Sequence, residues 1–181
     1  MLRLLLPLAL LLSACPTVEE EEDWSCTPSD VAEDTMEATV DGAGWDATFS
    51  GGAVTNAGGL NITFRVDSNN TLSLRLLTAS TFTDLENSEL ADGLVEDNVL
   101  AFSADDLPLE IALGEGSDDG GDATLTLDSS AYNTDHGDGG YAKLTALDGQ
   151  VLTGCLFFEA GLQDNSAHTT LSAGSFSATL P

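Results

Sequence analysis

Basic residues are almost missing from this chain: Lys and Arg number 4 against 31 Asp and Glu, for a formal charge of -27. Nucleic-acid binding draws its affinity from clustered Lys and Arg, so no nucleic-acid partner is expected. The same charge repels anionic lipid headgroups and favours solubility and diffuse cation binding. Histidine is nearly as scarce, with only His136 and His168. A three-His zinc site therefore cannot be built, and neither HExxH nor GxSxG occurs. A Ser–His–Asp triad has no support from spacing. Three cysteines occur without a CxxC or Cys/His spacing, which removes the usual zinc arrangements. Acidic residues are so abundant that carboxylate pairs carry no information about glycosidic chemistry. Aromatics are few, and Trp45, Phe64, Phe158 and Phe176 are read as core and not as a sugar-stacking platform. No enzyme is expected.

Long apolar runs are also missing. The longest, residues 4–12, is about half of the ~20 residues that a membrane-spanning helix needs. It follows the short basic start Met1-Leu2-Arg3 and precedes the small residues Ser13 and Ala14, the order of a secretory signal. Leu12-Ser13-Ala14-Cys15 resembles the lipobox of bacterial lipoproteins. The resemblance implies a signal peptide over residues 1–14, cleaved before Cys15, with Cys15 lipidated. Acyl chains hold at about 0.8 kcal/mol per buried methylene, so three together make a near-permanent membrane anchor. Pro16 stands where this family's inner-membrane retention signal places Asp. The implied location is the cell envelope, at the outer membrane where one exists.

Residues 15–34 are read as an acidic tether, with Glu19 to Asp23 repelling one another. Trp24 and Cys26 are its exceptions. With Cys15 taken by lipid, Cys26 and Cys155 remain as an even pair in an exported chain, where disulfides persist. Bridging them would close a loop of roughly 130 residues, with up to roughly 5 kcal/mol of stabilisation from chain entropy. The alternative is two unpaired thiols. If Leu156 and Phe158 point into the core, Cys155 and Phe157 point the other way. That face then needs cover, which the segment around Trp24 could supply.

From residue 35 onward short alternating runs are separated by Gly, Asp and Asn, the pattern of strands and turns. Strands are expected over residues 36–40, 45–49, 60–66, 71–77, 99–102, 107–113, 123–127, 141–147, 151–160 and 171–180. A helical turn is compatible with residues 83–91. Leu60, Ile62, Phe64 and Val66 should face inward with Leu72, Leu74 and Leu76. Paired residues share a face, so a three-residue loop at Ser68, Asn69 and Asn70 would pair Val66 with Leu72 and Phe64 with Leu74. Gly154-Cys155-Leu156-Phe157-Phe158 and Gly174-Ser175-Phe176-Ser177-Ala178 share a short echo. The expected fold is all-β: one antiparallel β-sandwich or barrel-like domain of about nine strands over residues 35–181. Ala38-Thr39-Val40-Asp41-Gly42 with Trp45, and the two closing Gly-led strands, resemble a family of uncharacterised β-rich exported lipoproteins. That resemblance implies export and a β-sandwich, and brings no catalytic residues.

Two Gly- and Asp-rich loops remain. Asp118, Asp119 and Asp122 belong to residues 114–122, and Asp135 and Asp138 to residues 129–140. Calcium takes six to eight oxygens and such loops supply them, although residues 133–144 depart from the EF-hand pattern. The reading is thus a membrane-anchored lipoprotein with a non-catalytic binding or structural domain. Its alternative is a Ca²⁺ or small-ligand module on these loops, and a hydrolase is the remote third.

Overall fold

Alternation places one side of each segment in a shared interior, and ring closure follows from that burial. The structure, a computed structural model, describes residues 26, 31–54, 59–76, 95–96, 99–100, 103–114 and 120–180. Their strands are β1 (Thr35–Val40), β2 (Ala43–Val54), β3 (Leu60–Arg65), β4 (Thr71–Leu76), β5 (Val95–Glu96), β6 (Val99–Leu100), β7 (Leu109–Leu113), β8 (Gly121–Leu127), β9 (Ser130–Asn133), β10 (Gly139–Asp148), β11 (Val151–Gly161) and β12 (His168–Thr179). The fold is all-β and barrel-like, as expected. β5 and β6 pair only with each other. The expected helical turn over residues 83–91 lies outside the described residues.

Nine strands close a ring in the order β1, β2, β3, β4, β8, β7, β10, β11, β12 and back to β1. An odd ring cannot alternate direction throughout, so one junction must be parallel. It falls at β7 and β8, where only Leu113 opposes Gly121 and Gly114 N donates to Gly121 O at 3.1 Å. Beside that seam β9 pairs with β8 along its length and meets β11 where Asn133 opposes Gly161. The circuit through β9 in place of β7 and β10 is therefore antiparallel throughout. β9 lies in what the composition suggests is a Gly/Asp loop, because Ser130-Ala131-Tyr132-Asn133 has one large apolar residue and no alternation to detect.

Side chains fill the interior. Phe64, Phe158, Phe176, Met36, Leu60, Ile62, Leu72, Leu74, Leu76, Leu109 and Ile111 are fully buried. Such a residue contributes about 1.5–3 kcal/mol relative to exposure. Trp45 is buried in the same core; its Nε1 has no hydrogen-bond partner among the described residues. On β12, Leu171 and Phe176 are five residues apart, so strict alternation would put them on opposite faces. One extra residue resolves this: Leu156 opposes Gly174 while Phe158 opposes Leu171, and Ala173 takes the left-handed conformation at φ 49°. This bulge turns Leu171, Phe176 and Ala178 all inward.

The echo between β11 and β12 also has a packing cause. Gly154 opposes Phe176 and Leu156 opposes Gly174. Each glycine thus leaves room for the large side chain of the other strand. A Cβ on Gly154 would lie 2.6 Å from the Phe176 ring and 2.5 Å from the Lys143 carbonyl oxygen.

The expected register of β3 against β4 is corrected. Phe64 opposes Leu72, Ile62 opposes Leu74 and Leu60 opposes Leu76, while Val66 is 49% exposed. The inward faces survive because the shift is by two residues, but Val66 belongs to the turn. The cause is Asp67. Its carboxylate accepts from Asn69 N at 2.7 Å, Asn70 N at 3.0 Å and Asn70 Nδ2, which draws residues 66–70 into one loop closed by Val66 N donating to Asn70 O. Asn69 and Asn70 then bond Ser129 and Asp128 in the next turn.

The N-terminal stretch is tied in. Cys26 and Cys155 form a disulfide, with Cα atoms 5.8 Å apart. Thr179 N donates to Asp34 Oδ1 at 2.7 Å and Thr179 Oγ1 to Glu33 Oε1 at 3.2 Å. Asp41, in the two-residue turn between β1 and β2, accepts from Thr169 Oγ1 and Thr170 N, each at 2.9 Å. Cys155 and Ser175 face away from the core yet are buried. Trp24, expected to cover that face, lies outside the described residues.

Gly154→Ala is expected to lower unfolding stability by about 1–3 kcal/mol through overpacking. Combined with Phe176→Leu it should cost less than the sum of the two single changes, as denaturant unfolding of all four proteins would show. Strict additivity would mean that the two sites do not share space. Reductant should lower the melting temperature of the wild type and leave that of Cys26→Ser unchanged. The expected loss is at most about 5 kcal/mol.

Candidate functional site

Acidic residues on the outside of a barrel stay charged most easily in water, so the half-buried Asp122 is the unusual one. It stands on β8 directly across from Arg75 of β4, with Arg75 Nη1 3.7 Å from Asp122 Oδ2. Burial raises its pKa above the usual carboxylate value; Arg75 opposes that shift, and the negative charge of Asp135 adds to it. Asp135 is placed by a turn: Asn133 Oδ1 accepts from Asp135 N at 2.7 Å, and Asn133 Nδ2 donates to Thr124 Oγ1 at 2.9 Å. Thr134 is buried between them and accepts from Ala123 N at 3.0 Å.

Asp122 and Asp135, expected from different loops, are therefore close enough to influence each other. Asp138 instead lines a separate cleft, and Asp118, Asp119 and Cys15 lie outside the described residues. Among the described residues no three His, Cys, Asp or Glu side chains gather as metal ligands would. Arg75 is the cation that Asp122 faces.

The cleft is the more developed feature. It is an open-sided cleft of roughly 500 Å³. Its position follows from register. Ala112 of β7, Tyr141 of β10 and Phe157 of β11 oppose one another in one outward row. The next row is Gly139, Glu159 and Thr170 of β12. Tyr141 is 42% exposed and Phe157 38% exposed. They are two of the three large apolar residues left exposed among those described, the third being Val66. Gly139 carries no side chain and holds φ at 74°, and a Cβ there would collide with the Leu113 carbonyl oxygen. Bare backbone thus lies between Asp138, Tyr141 and Glu159. His168 Nδ1 lies 3.2 Å from Glu159 Oε1 at the edge.

Composition directs attention to the acidic loops and away from Tyr141 and Glu159, which sit inside strands. A signal existed in the alternation. Tyr141 is out of phase with the inward Ala142 and Leu144, and Phe157 with the inward Leu156 and Phe158. Neither a family model, nor a curated protein, nor a solved structure matches the chain.

In a carboxyl-resolved NMR titration, Asp122 should titrate above the ordinary aspartate value of 3.8. Arg75→Gln should move it further up, and Asp135→Asn should move it down. A raised folded pKa means that the unfolded chain loses its proton first, so this residue's contribution to stability falls as pH rises from 3.8 through the folded value. A midpoint at or below 3.8 would contradict the burial.

Proposed function

We propose that this chain is an exported lipoprotein, anchored at the cell envelope through Cys15, whose β domain binds or supports a partner without catalysis. The Cys26–Cys155 disulfide carries the reading. Such a bond is kept in oxidising compartments outside the cytosol, and it joins the stretch just past Leu12-Ser13-Ala14-Cys15 to β11. The signal-like start and the disulfide are independent features that point to the same compartment. The filled interior supports an outward-facing binding role, because the core-facing side chains occupy the space that a ligand would take in a hollow barrel. A chain with 4 basic residues would meet the membrane through lipid and not through charge.

The calcium alternative takes Asp118, Asp119, Asp122, Asp135 and Asp138 as its ligands, of which Asp122 and Asp135 influence each other while Asp138 lines the separate cleft. Calcium would have to compete with Arg75 for Asp122.

In cells that process lipoproteins, the wild-type chain should fractionate with membranes and carry lipid on Cys15. Cys15→Ala should accumulate as uncleaved precursor or as soluble product. Mass spectrometry of a wild-type chain that is released and unmodified at Cys15 would overturn the anchor.

A further inference from the structure

The outer cleft across β7, β10, β11 and β12 combines two exposed aromatic rings with two carboxylates. From this we infer that it is a binding site for a small alkylated ammonium ion. Tyr141 and Phe157 oppose each other across the ladder, so both side chains rise from neighbouring positions on the outer face of the sheet and line the cleft. Aromatic faces attract cations through the ring quadrupole and at the same time bury their methyl groups. Asp138 and Glu159 line the same space and supply the opposing charge, Glu159 sharing its carboxylate with His168, whose Nδ1 lies 3.2 Å from Oε1. None of the residues lining the cleft is basic. The nearest Lys along β10, Lys143, is engaged by Glu110, Nζ to Oε2 being 3.9 Å. A bare metal ion fits poorly, since no third ligating side chain joins these carboxylates among the described residues. Methylated ammonium suits the cleft better because it takes charge from the carboxylates and contact from the rings. Thr170 closes the β12 side, and at Gly139 the Leu113 backbone fills the place that a side chain would take.

The inference builds on the reading of a non-catalytic binding domain, but it does not require the lipid anchor. Loss of Cys15 lipidation would leave it standing, and its own failure would leave the anchor standing. The test is NMR titration of the purified protein with choline and, in parallel, with 3,3-dimethyl-1-butanol, its uncharged isostere. Choline should give saturable shifts centred on Tyr141, Phe157 and Glu159, and the isostere should bind several-fold more weakly. Tyr141→Ala and Phe157→Ala remove exposed rings and should leave the fold intact. Each should weaken choline binding about fivefold, as expected for one cation–π contact. Glu159→Gln should weaken it as well, without changing the response to the isostere. Equal binding of choline and its isostere would reduce the cleft to an apolar patch and overturn the inference. So would shifts spread over the whole acidic surface, tighter binding of a neutral methyl glucoside, or no saturable shifts at all.

Discussion

The constraint on which the rest depends is that β11 is held from every side. It pairs with β10 from Val151 to Glu159, with β12 from Val151 to Gly161, and with β9 at Gly161. Its inward residues Leu152, Leu156, Phe158 and Ala160 belong to the core, and its outward Cys155 is covalently joined to Cys26. No other described strand has three ladder partners and a covalent tie. The ring is odd and has one parallel junction, between β7 and β8, where a single residue pair is in register. β9 supports the seam by bridging β8 to β11.

Much of this was legible in the chain. Residues such as Leu60, Ile62 and Phe64, or Leu109, Ile111 and Leu113, alternate so regularly that their strands and inward faces follow from period two. The five-residue separation of Leu171 and Phe176 likewise implies a bulge if both are core, and the bulge is at Ala173. Other features depend on interactions that no local pattern shows. The five-residue turn after β3 exists because the Asp67 carboxylate gathers three donors and because Asn69 and Asn70 bond a turn sixty residues away. β9 is held by its ladder with β8 and by the pair of Asn133 with Gly161 of β11, which its four residues do not announce.

The candidate site divides in the same way. The acidic residues were easy to see, and Asp122 with Asp135 does form an interacting pair. Their chemistry is shaped by Arg75, a residue that belongs to a distant strand and becomes a neighbour only through the β4–β8 ladder. The outer cleft depends on register across four strands. Ala112, Tyr141 and Phe157 become one row only when β7, β10 and β11 are aligned, so their proximity could not be read from any one segment. What the sequence does carry is the reason for their exposure: each is out of phase with the core residues on either side.

Native-state hydrogen exchange measures most directly whether β11 is the fixed side of the ring and the β7–β8 junction its weak side. With β11 as the fixed side, amides at the centre of β10, β11 and β12 should be the slowest to exchange and should open only with global unfolding. The Gly114 amide, bonded to Gly121 across the parallel seam, should exchange faster through local opening. Equal protection at the seam and in β11, or faster exchange in β11, would contradict this division of the barrel.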